Sequence, residues 1–232
     1  MTSGPSSRLA IITGASRGIG LATALAFAER KLALTLVGRV SRELERARAR
    51  SEAAGSPHVE LVPADLADLD AVQRVASELA LSTPSVVVHN AGVVHREVVE
   101  DISRESFLEQ LDVNLTAPFL LTQALLPSMR RAATGRILFV GSISSTLGSA
   151  RQSAYCASKW AIVGFMKSLA EELTDSGLMT AAVLPGSVDT RMLEGSGFPK
   201  RMSAEDVAKT LVFLALDAPL AHNGACVEMF GI

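Results

Sequence analysis

The strongest constraint on the fold is a repeated order of segments: a short apolar run, a turn and then an amphipathic segment. Most of the apolar runs are unbroken rather than alternating, which is typical of strands covered on both faces, as in a parallel sheet. Strands that alternate with helices favour right-handed βαβ units and a doubly wound α/β sheet. The predicted strands are 9–13, 32–38, 59–63, 85–89, 136–141, 179–185 and 225–230, and the predicted helices are 18–30, 41–54, 69–80, 104–131, 153–174 and 203–216.

Composition limits the class of protein. The chain has 232 residues, 48% of them hydrophobic, and its 22 basic and 24 acidic residues give a net charge of −2, so no basic surface for nucleic acid or an anionic membrane is expected. Cys156 and Cys226 suggest neither a disulfide framework nor a metal site, and no apolar run reaches the roughly 18 residues of a membrane span. We expect a flexible tail over residues 1–8, one domain over 9–232, no metal, no nucleic-acid or membrane partner and a cytoplasmic location.

A glycine-rich turn follows the first predicted strand and leads directly into a helix. Its residues are Thr13-Gly14-Ala15-Ser16-Arg17-Gly18-Ile19-Gly20. Glycine lets the backbone approach a pyrophosphate closely, and the N–H groups at a helix start point at the anion. Gly20 would also allow close packing of helix on strand. The turn therefore predicts a dinucleotide-binding site.

The G-x-x-x-G-x-G spacing of this turn resembles that of the short-chain dehydrogenase/reductase family, and the resemblance runs from Leu9 to the end of the chain. It implies a Rossmann-like, doubly wound, mostly parallel seven-stranded sheet with helices on both faces. It also implies an oxidoreductase that moves a hydride between a nicotinamide cofactor and a carbonyl or alcohol carbon. The resemblance implies cofactor contacts from Gly14, Ser16, Arg17, Gly18, Ile19 and Gly20.

The end of the second predicted strand indicates which dinucleotide is bound. An acid there would bond the ribose 2′-hydroxyl of NAD, whereas an arginine would accommodate the 2′-phosphate of NADP. Arg39 follows the strand and no acid precedes Glu43. Arg17 is a second nearby cation, and Ser41 adds a hydroxyl that is equally suited to cap a helix. The sequence predicts NADP(H).

Two further segments match family positions near the cofactor. Asp65 lies just past the third strand, at the position that contacts adenine, and Leu66 beside it is included among the expected contacts. The tetrapeptide His89-Asn90-Ala91-Gly92 resembles the family's N-N-A-G, and its last three residues are expected to bring backbone close to the cofactor. The histidine departs from that pattern, and we interpret it as a structural substitution rather than a catalytic group.

Tyr155 and Lys159 stand four residues apart at the start of a predicted helix, which places them on one face. A free phenol has a pKa near 10, and a neighbouring ammonium favours the phenolate, so we expect Lys159 to lower the pKa of Tyr155. Tyr155 would then serve as general acid or base. The family resemblance supports this assignment and adds cofactor contacts from both residues.

The resemblance implies two more catalytic residues. Ser142, thirteen residues before Tyr155, would hydrogen-bond and orient the substrate oxygen, with Ser144 as the rival if the register differs by two. Asn114 lies inside a predicted helix. The resemblance implies a local break there, whose backbone carbonyl holds a water that links Lys159 to solvent.

The segment after the sixth strand resembles the family's P-G-x-V-x-T. It implies contacts to the nicotinamide end of the cofactor from Pro185, Gly186, Val188 and Thr190. Residues 191–202 contain two glycines and a proline and form a plausible mobile lid. Aliphatic residues near the site favour a rather apolar ketone, aldehyde or alcohol as substrate, and the role of His95 stays open.

Two alternatives remain besides an NADP(H)-dependent enzyme. One is an NAD-dependent alcohol dehydrogenase that uses the same site. The other is a non-catalytic NADP(H)-binding sensor or scaffold, which an intact set of four catalytic residues argues against. Family members usually pair the two long predicted helices between subunits, which implies a homodimer or homotetramer.

Overall fold

All seven predicted strands are present in the computed structural model, which describes residues 8–231. They form one sheet in which every recorded pairing is parallel, whereas the sequence predicted a mostly parallel one. The strands are β1 (Leu9–Thr13), β2 (Ala33–Gly38), β3 (Val59–Pro63), β4 (Val86–His89), β5 (Gly135–Val140), β6 (Leu178–Pro185) and β7 (Ala225–Met229). The doubly wound α/β prediction is confirmed.

The helices lie between the strands, and two of them are shorter than predicted. The predicted helix over 104–131 is divided by a wider, π-helical turn at Asp112–Thr116, and the helix predicted over 203–216 gives way to a second such turn at Phe213–Asp217. The helices are α1 (Gly18–Glu29), α2 (Arg42–Ala53), α3 (Leu69–Leu79), α4 (Arg104–Leu111), α5 (Ala117–Ala132), α6 (Ser153–Glu172) and α7 (Ala204–Val212).

The predicted tail over residues 1–8 lies outside the described residues, except for Arg8. Within residues 8–231, no helix is both long enough and apolar enough to traverse a bilayer. Cys156 is a buried free thiol and Cys226 a partly buried one.

Both faces of the sheet are buried, which explains the unbroken apolar strands. Phe27 of α1 and Leu211 of α7 belong to the core on one face, whereas Leu121 of α5 and Met166 of α6 belong to the core on the other. A strand between two such layers has no solvent face for alternate polar residues. Ser203 begins α7 as predicted, because its hydroxyl accepts a hydrogen bond from the Asp206 N–H.

The strand order fixes the position of the candidate site. The sheet runs β3-β2-β1-β4-β5-β6-β7, so the chain reverses its direction of travel across the sheet between β1 and β4. The crevice outside the carboxyl ends of these two strands is where open α/β sheets bind ligands. The glycine turn follows β1 there, and His89-Asn90 stands at the end of β4.

His89 has a packing role, in agreement with the structural interpretation of this residue. Its ring is buried, stacks on Phe139 at a centroid distance of 4.9 Å, and places Nε2 2.9 Å from the Thr122 hydroxyl. Burial lowers the pKa of His89 to about 3, so the ring is neutral at physiological pH.

Candidate active site

The glycine turn needs its glycines for steric reasons. Gly14 has a φ of +66°, and a Cβ there would lie 2.8 Å from the Ala91 Cα. A Cβ on Gly20 would collide with the Gly14 carbonyl oxygen and the Asn90 side chain. Only glycine tolerates this combination of left-handed backbone and close approach.

Asn90 holds the glycine turn in place. Its side-chain Nδ2 donates to the carbonyl oxygens of Thr13, at 2.9 Å, and Gly14, at 3.1 Å. The Thr13 hydroxyl accepts in return from the backbone N–H groups of Asn90 and Ala91, at 3.0 and 3.1 Å. The ends of β1 and β4 are thereby joined, and the Asn90 side chain acts on the shape of the turn.

The start of α1 is suited to an anion. Its N-cap residue, Arg17, provides no side-chain cap, and its first turn contains no acidic residue. The first N–H groups of a helix have no intrahelical partner and carry the positive end of the helix dipole. Ser16 and Ile19 are partly exposed at this turn. The residues therefore fit the diphosphate of a dinucleotide.

An ion-pair group occupies the predicted ribose end of the site. The Glu43 carboxylate lies 3.6 Å from Arg17 Nη1 and 3.1 Å from Arg191 Nη2. Arg39 is exposed just after β2. The Ser41 hydroxyl accepts from the Leu44 N–H at 3.1 Å, so it caps α2. Sequence reasoning missed Arg191 because it lies 148 positions from Glu43 and no local pattern links them.

Asp65 and Leu66 differ in what they can offer a ligand. Asp65 is exposed, and its Oδ1 accepts from the Ala67 N–H at 3.1 Å, which tightens the loop after β3. The Leu66 side chain is buried in the core, so only its backbone remains for a cofactor contact.

Tyr155 and Lys159 lie together near the start of α6, both buried. The Lys159 Nζ is 5.7 Å from the centroid of the Tyr155 ring and donates a 3.0 Å hydrogen bond to the carbonyl oxygen of Val140 at the end of β5. A Cβ on Gly92 would lie 3.5 Å from the same Nζ. The amine is thus directed toward the carboxyl edge of the sheet.

We expected Lys159 to lower the pKa of Tyr155, but in the structure the pKa of this phenol is raised. Burial raises the pKa of the Tyr155 phenol to about 12, against smaller lowering effects from a hydrogen bond with Ser142 and the charge of Arg96. Burial also lowers the pKa of Lys159 to about 8. Desolvation disfavours the charged form of both groups. The phenol therefore keeps its proton at neutral pH and is prepared to donate it.

Ser142 is better placed than its rival. It follows β5, its hydroxyl accepts from the Ser144 N–H at 3.1 Å, and it lies close enough to Tyr155 to lower the pKa of that phenol. Ser144 is buried, whereas Ser142 is partly exposed. The Ser145 hydroxyl accepts from the Ser142 N–H at 3.3 Å and steadies the turn. The geometry favours Ser142 as the serine beside the tyrosine.

Asn114 lies in the π-helical turn between α4 and α5, where a local break was expected. Its Oδ1 accepts from the Val93 N–H at 2.9 Å, and its Nδ2 donates to the Val93 carbonyl at 3.0 Å and the Ser158 hydroxyl at 2.9 Å. The side chain thus joins the segment after β4 to α6. Any role in proton supply would fall to its backbone carbonyl, because its amide is fully engaged.

The segment after β6 completes the edge of the site. Pro185 ends the strand, Gly186 follows it, and Val188 is buried. The Thr190 Cγ2 atom lies 3.2 Å from the place a Cβ on Gly18 would occupy. Thr190 therefore stands against the glycine turn, between the regions expected to bind the diphosphate and the nicotinamide.

Comparison with known proteins identifies the family. The profile described as short chain dehydrogenase matches residues 8–198. The chain belongs to the short-chain dehydrogenase family. Among its relatives, the 3-oxoacyl-[acyl-carrier-protein] reductase of Synechocystis is 31% identical over 93% of this chain and 92% of that protein. The reductase FabG of Pseudomonas aeruginosa is 30% identical over 97% and 96%.

Solved structures of other short-chain dehydrogenases superpose closely. One is a Beutenbergia cavernae protein assigned as an NAD(P)-dependent gluconate 5-dehydrogenase, with NADP bound at low occupancy: TM-score 0.89, 32% identity, 97% of each chain. Another is a metagenomic short-chain oxidoreductase in complex with NADP, with a TM-score of 0.84 and 31% identity over 97% of this chain and 98% of that one.

The His95 side chain of this short-chain dehydrogenase is already paired with an acid. Its Nε2 lies 2.8 Å from Glu109 Oε2, and the His95 backbone N–H donates to the Gln110 side chain at 3.1 Å. The residue anchors the segment after β4 to α4. This pairing gives no support to a catalytic assignment for His95.

The burial of Lys159 has a measurable cost. Because its pKa in the folded state lies below the unfolded value, the stability deficit is full below about pH 8 and disappears as pH rises toward the unfolded pKa near 10.5. We expect Lys159→Met to raise the free energy of unfolding at pH 7 by on the order of 1–2 kcal/mol, or Tm by roughly 2–8 °C. The gain should shrink between pH 8 and 10, as measured by urea unfolding without cofactor. A variant less stable than the wild type at pH 7 would contradict this account.

Proposed function

We propose that this chain is an NADP(H)-dependent oxidoreductase that interconverts a carbonyl compound and a secondary alcohol. The observation that carries the proposal is the buried Tyr155, one helical turn from Lys159, whose Nζ lies 5.7 Å from the phenol ring and bonds the Val140 carbonyl at the carboxyl edge of the sheet. The glycine turn and Thr190 lie at the same edge. A proton donor and a dinucleotide cradle at one edge are what such a reaction requires.

Each site residue has a separate role in the reduction of a carbonyl group. The bound cofactor supplies the hydride that reaches the carbonyl carbon. Tyr155 donates its proton to the carbonyl oxygen, which receives the electron pair of the C=O bond, and Ser142 orients that oxygen. The positive charge of Lys159 then stabilises the phenolate left on Tyr155. Asn114 keeps the segment after β4 against α6.

The pKa of Tyr155 leaves the phenol in the protonated form that a reduction uses. A phenol with a pKa of about 12 is protonated at neutral pH and is ready to donate. Oxidation of an alcohol needs the phenolate first, which burial opposes. The relatives are named for different substrates, 3-oxoacyl groups on a carrier protein and gluconate, so the comparisons leave the choice of carbonyl compound open.

The arginines at the ribose end support NADP(H). Arg39 is free in the sense that no carboxylate among residues 8–231 lies within 4.0 Å of it. Glu43, the nearest acid in sequence, is engaged by Arg17 and Arg191 instead of being available to a ribose hydroxyl. Similar solved structures contain NADP. The alternative is an NAD-dependent alcohol dehydrogenase on the same site.

The test of the activity is consumption of NADPH with ketones, aldehydes, quinones and 3-oxoacyl thioesters. We expect Tyr155→Phe to lower kcat for the best substrate by at least roughly 100-fold, because the general acid is lost, while the Kd for NADPH changes little. Equal turnover by this variant would remove Tyr155 from the mechanism. Binding of NADPH without turnover of any compound would support the sensor or scaffold alternative.

Cofactor choice is tested by reversing one charge. We expect Arg39→Asp to lower kcat/KM for NADPH by roughly 10–100-fold, because a charge-assisted hydrogen bond to the 2′-phosphate is lost, and to leave kcat/KM for NADH within about threefold. Arg50→Asp, in the last turn of α2, is the control. A wild type that prefers NADH strongly, with no response to the change at Arg39, would favour the NAD-dependent alternative.

We also propose that the chain is a cytoplasmic homodimer or homotetramer. Phe107 of α4, Phe119 of α5 and Trp160 of α6 are large apolar side chains with exposed fractions of 38%, 39% and 54%. Aromatic residues are enriched at interfaces. Light scattering at micromolar concentration should give two or four times 24.4 kDa, and Trp160→Asp should lower that mass. A wild-type monomer would reject the proposal.

A further inference from the structure

Arg96 lies where three segments meet around Tyr155. It belongs to residues 93–97, which we name the strap, and its Nη2 donates a 2.8 Å hydrogen bond to the carbonyl oxygen of Met192 in the predicted lid. Its own carbonyl accepts from Arg151 Nη2 at 3.4 Å, and the Glu97 N–H donates to the Arg151 carbonyl at 2.9 Å. Arg151 lies two residues before the start of α6 at Ser153, so the strap is fastened next to the helix that carries Tyr155.

The guanidinium of Arg96 acts on the reacting end of the site. Its charge lowers the pKa of Tyr155, against the larger opposite effect of burial. A Cβ on Gly92, which immediately precedes the strap, would lie 3.5 Å from the Lys159 Nζ and 3.9 Å from the Met192 Cε. The strap and the lid therefore adjoin the Tyr155–Lys159 pair.

This guanidinium has unused donors. Its Nε is buried with no hydrogen-bond partner, and no carboxylate in the described part of the chain lies within 4.0 Å of its nitrogens. Another arginine at the site, Arg191, is by contrast engaged by the Glu43 carboxylate. The Arg96 Nε is closed to a ligand, but Nη1 is neither buried nor hydrogen-bonded, so Nη1 and the second N–H of Nη2 can face an acceptor supplied by a ligand.

We propose that Arg96 binds a carboxylate on the substrate, so that the carbonyl reduced at Tyr155 belongs to an oxo acid. The planar fork of arginine presents parallel N–H donors that match the two oxygens of a carboxylate. A carboxylate carries one negative charge, which a single guanidinium can balance even though its Nη2 also donates to the Met192 carbonyl. This inference rests on the proposed function, and it changes the expected substrate from a rather apolar ketone to one with an acidic end.

The test compares acids with their neutral esters. Pyruvate, acetoacetate and levulinate are each assayed beside the methyl ester, with NADPH at pH 7. We expect kcat/KM for the best acid to exceed that of its ester by at least roughly tenfold. Arg96→Met should lower the ratio of kcat/KM for that acid to kcat/KM for its ester by roughly 10–100-fold, because losing the contact with Met192 and the charge near Tyr155 affects both substrates alike, whereas losing the carboxylate partner affects only the acid. Arg96→Lys should recover part of the loss.

Two controls separate binding of a carboxylate from a purely structural role. If Arg96 only fastens the lid, Arg96→Met will lower acid and ester activity together, and the proposal is overturned. Arg50→Met, which removes an exposed arginine in the last turn of α2, should change neither. Dihydroxyacetone phosphate serves as a further probe: Arg96-dependent turnover of this compound without turnover of the acids would assign the cation to phosphate and also overturn the proposal.

Calorimetric titration of levulinate and methyl levulinate into the NADPH-loaded protein distinguishes failure of this inference from failure of the proposed function. Arg96-dependent binding of the acid without turnover of any compound would support the carboxylate site alone and reject both the oxidoreductase and the oxo acid as its substrate. Turnover of esters or thioesters equal to that of the acids would keep the oxidoreductase and reject the inference. If no acid is either bound or turned over, the carboxylate site is rejected.

Discussion

The site depends on the burial of a phenol and an amine side by side where a parallel sheet ends. Tyr155 and Lys159 are 7% and 4% exposed, and each would be more stable as a neutral group there. Lys159 is held by the Val140 carbonyl, at the end of the strand that leads into Ser142. The sheet edge thus supplies the hydrogen bond that makes a buried amine tolerable, and α6 carries both side chains to it.

The other site segments are joined to that edge by polar side chains as well as by packing. Asn90 ties the end of β4 to the glycine turn, and Asn114 ties the strap to α6 through Val93 and Ser158. Buried amides can make several hydrogen bonds at once, so they fix both distance and orientation. The widened turn around Asn114 interrupts the helix at the residue whose side chain must reach the strap.

Features that depend on residues close together in the sequence could be predicted, whereas contacts between distant segments could not. The strands, the glycine turn and the Tyr155–Lys159 spacing are local patterns, and the family resemblance placed Ser142 and Asn114 around them. The predicted direction of the pKa shift at Tyr155 was wrong, because the Tyr155–Lys159 spacing reveals a nearby charge but does not reveal how deeply the phenol is buried. Contacts such as Glu43–Arg191 and Arg96–Met192 join distant segments, and no periodicity or spacing indicates them.

Those two long-range contacts hold opposite sides of one short segment. Arg191 is fastened at the ribose end of the site by Glu43, and the next residue, Met192, is fastened at the Tyr155 end by Arg96. The side chains of Arg191 and Glu43 are 58% and 40% exposed, and exposed ion pairs of this kind contribute about 0–1 kcal/mol. An anion that competes for Arg191 therefore meets little resistance. Because neighbouring residues make the two contacts, a single turn of backbone, Arg191–Leu193, is fixed to α2 on one side and to the strap on the other.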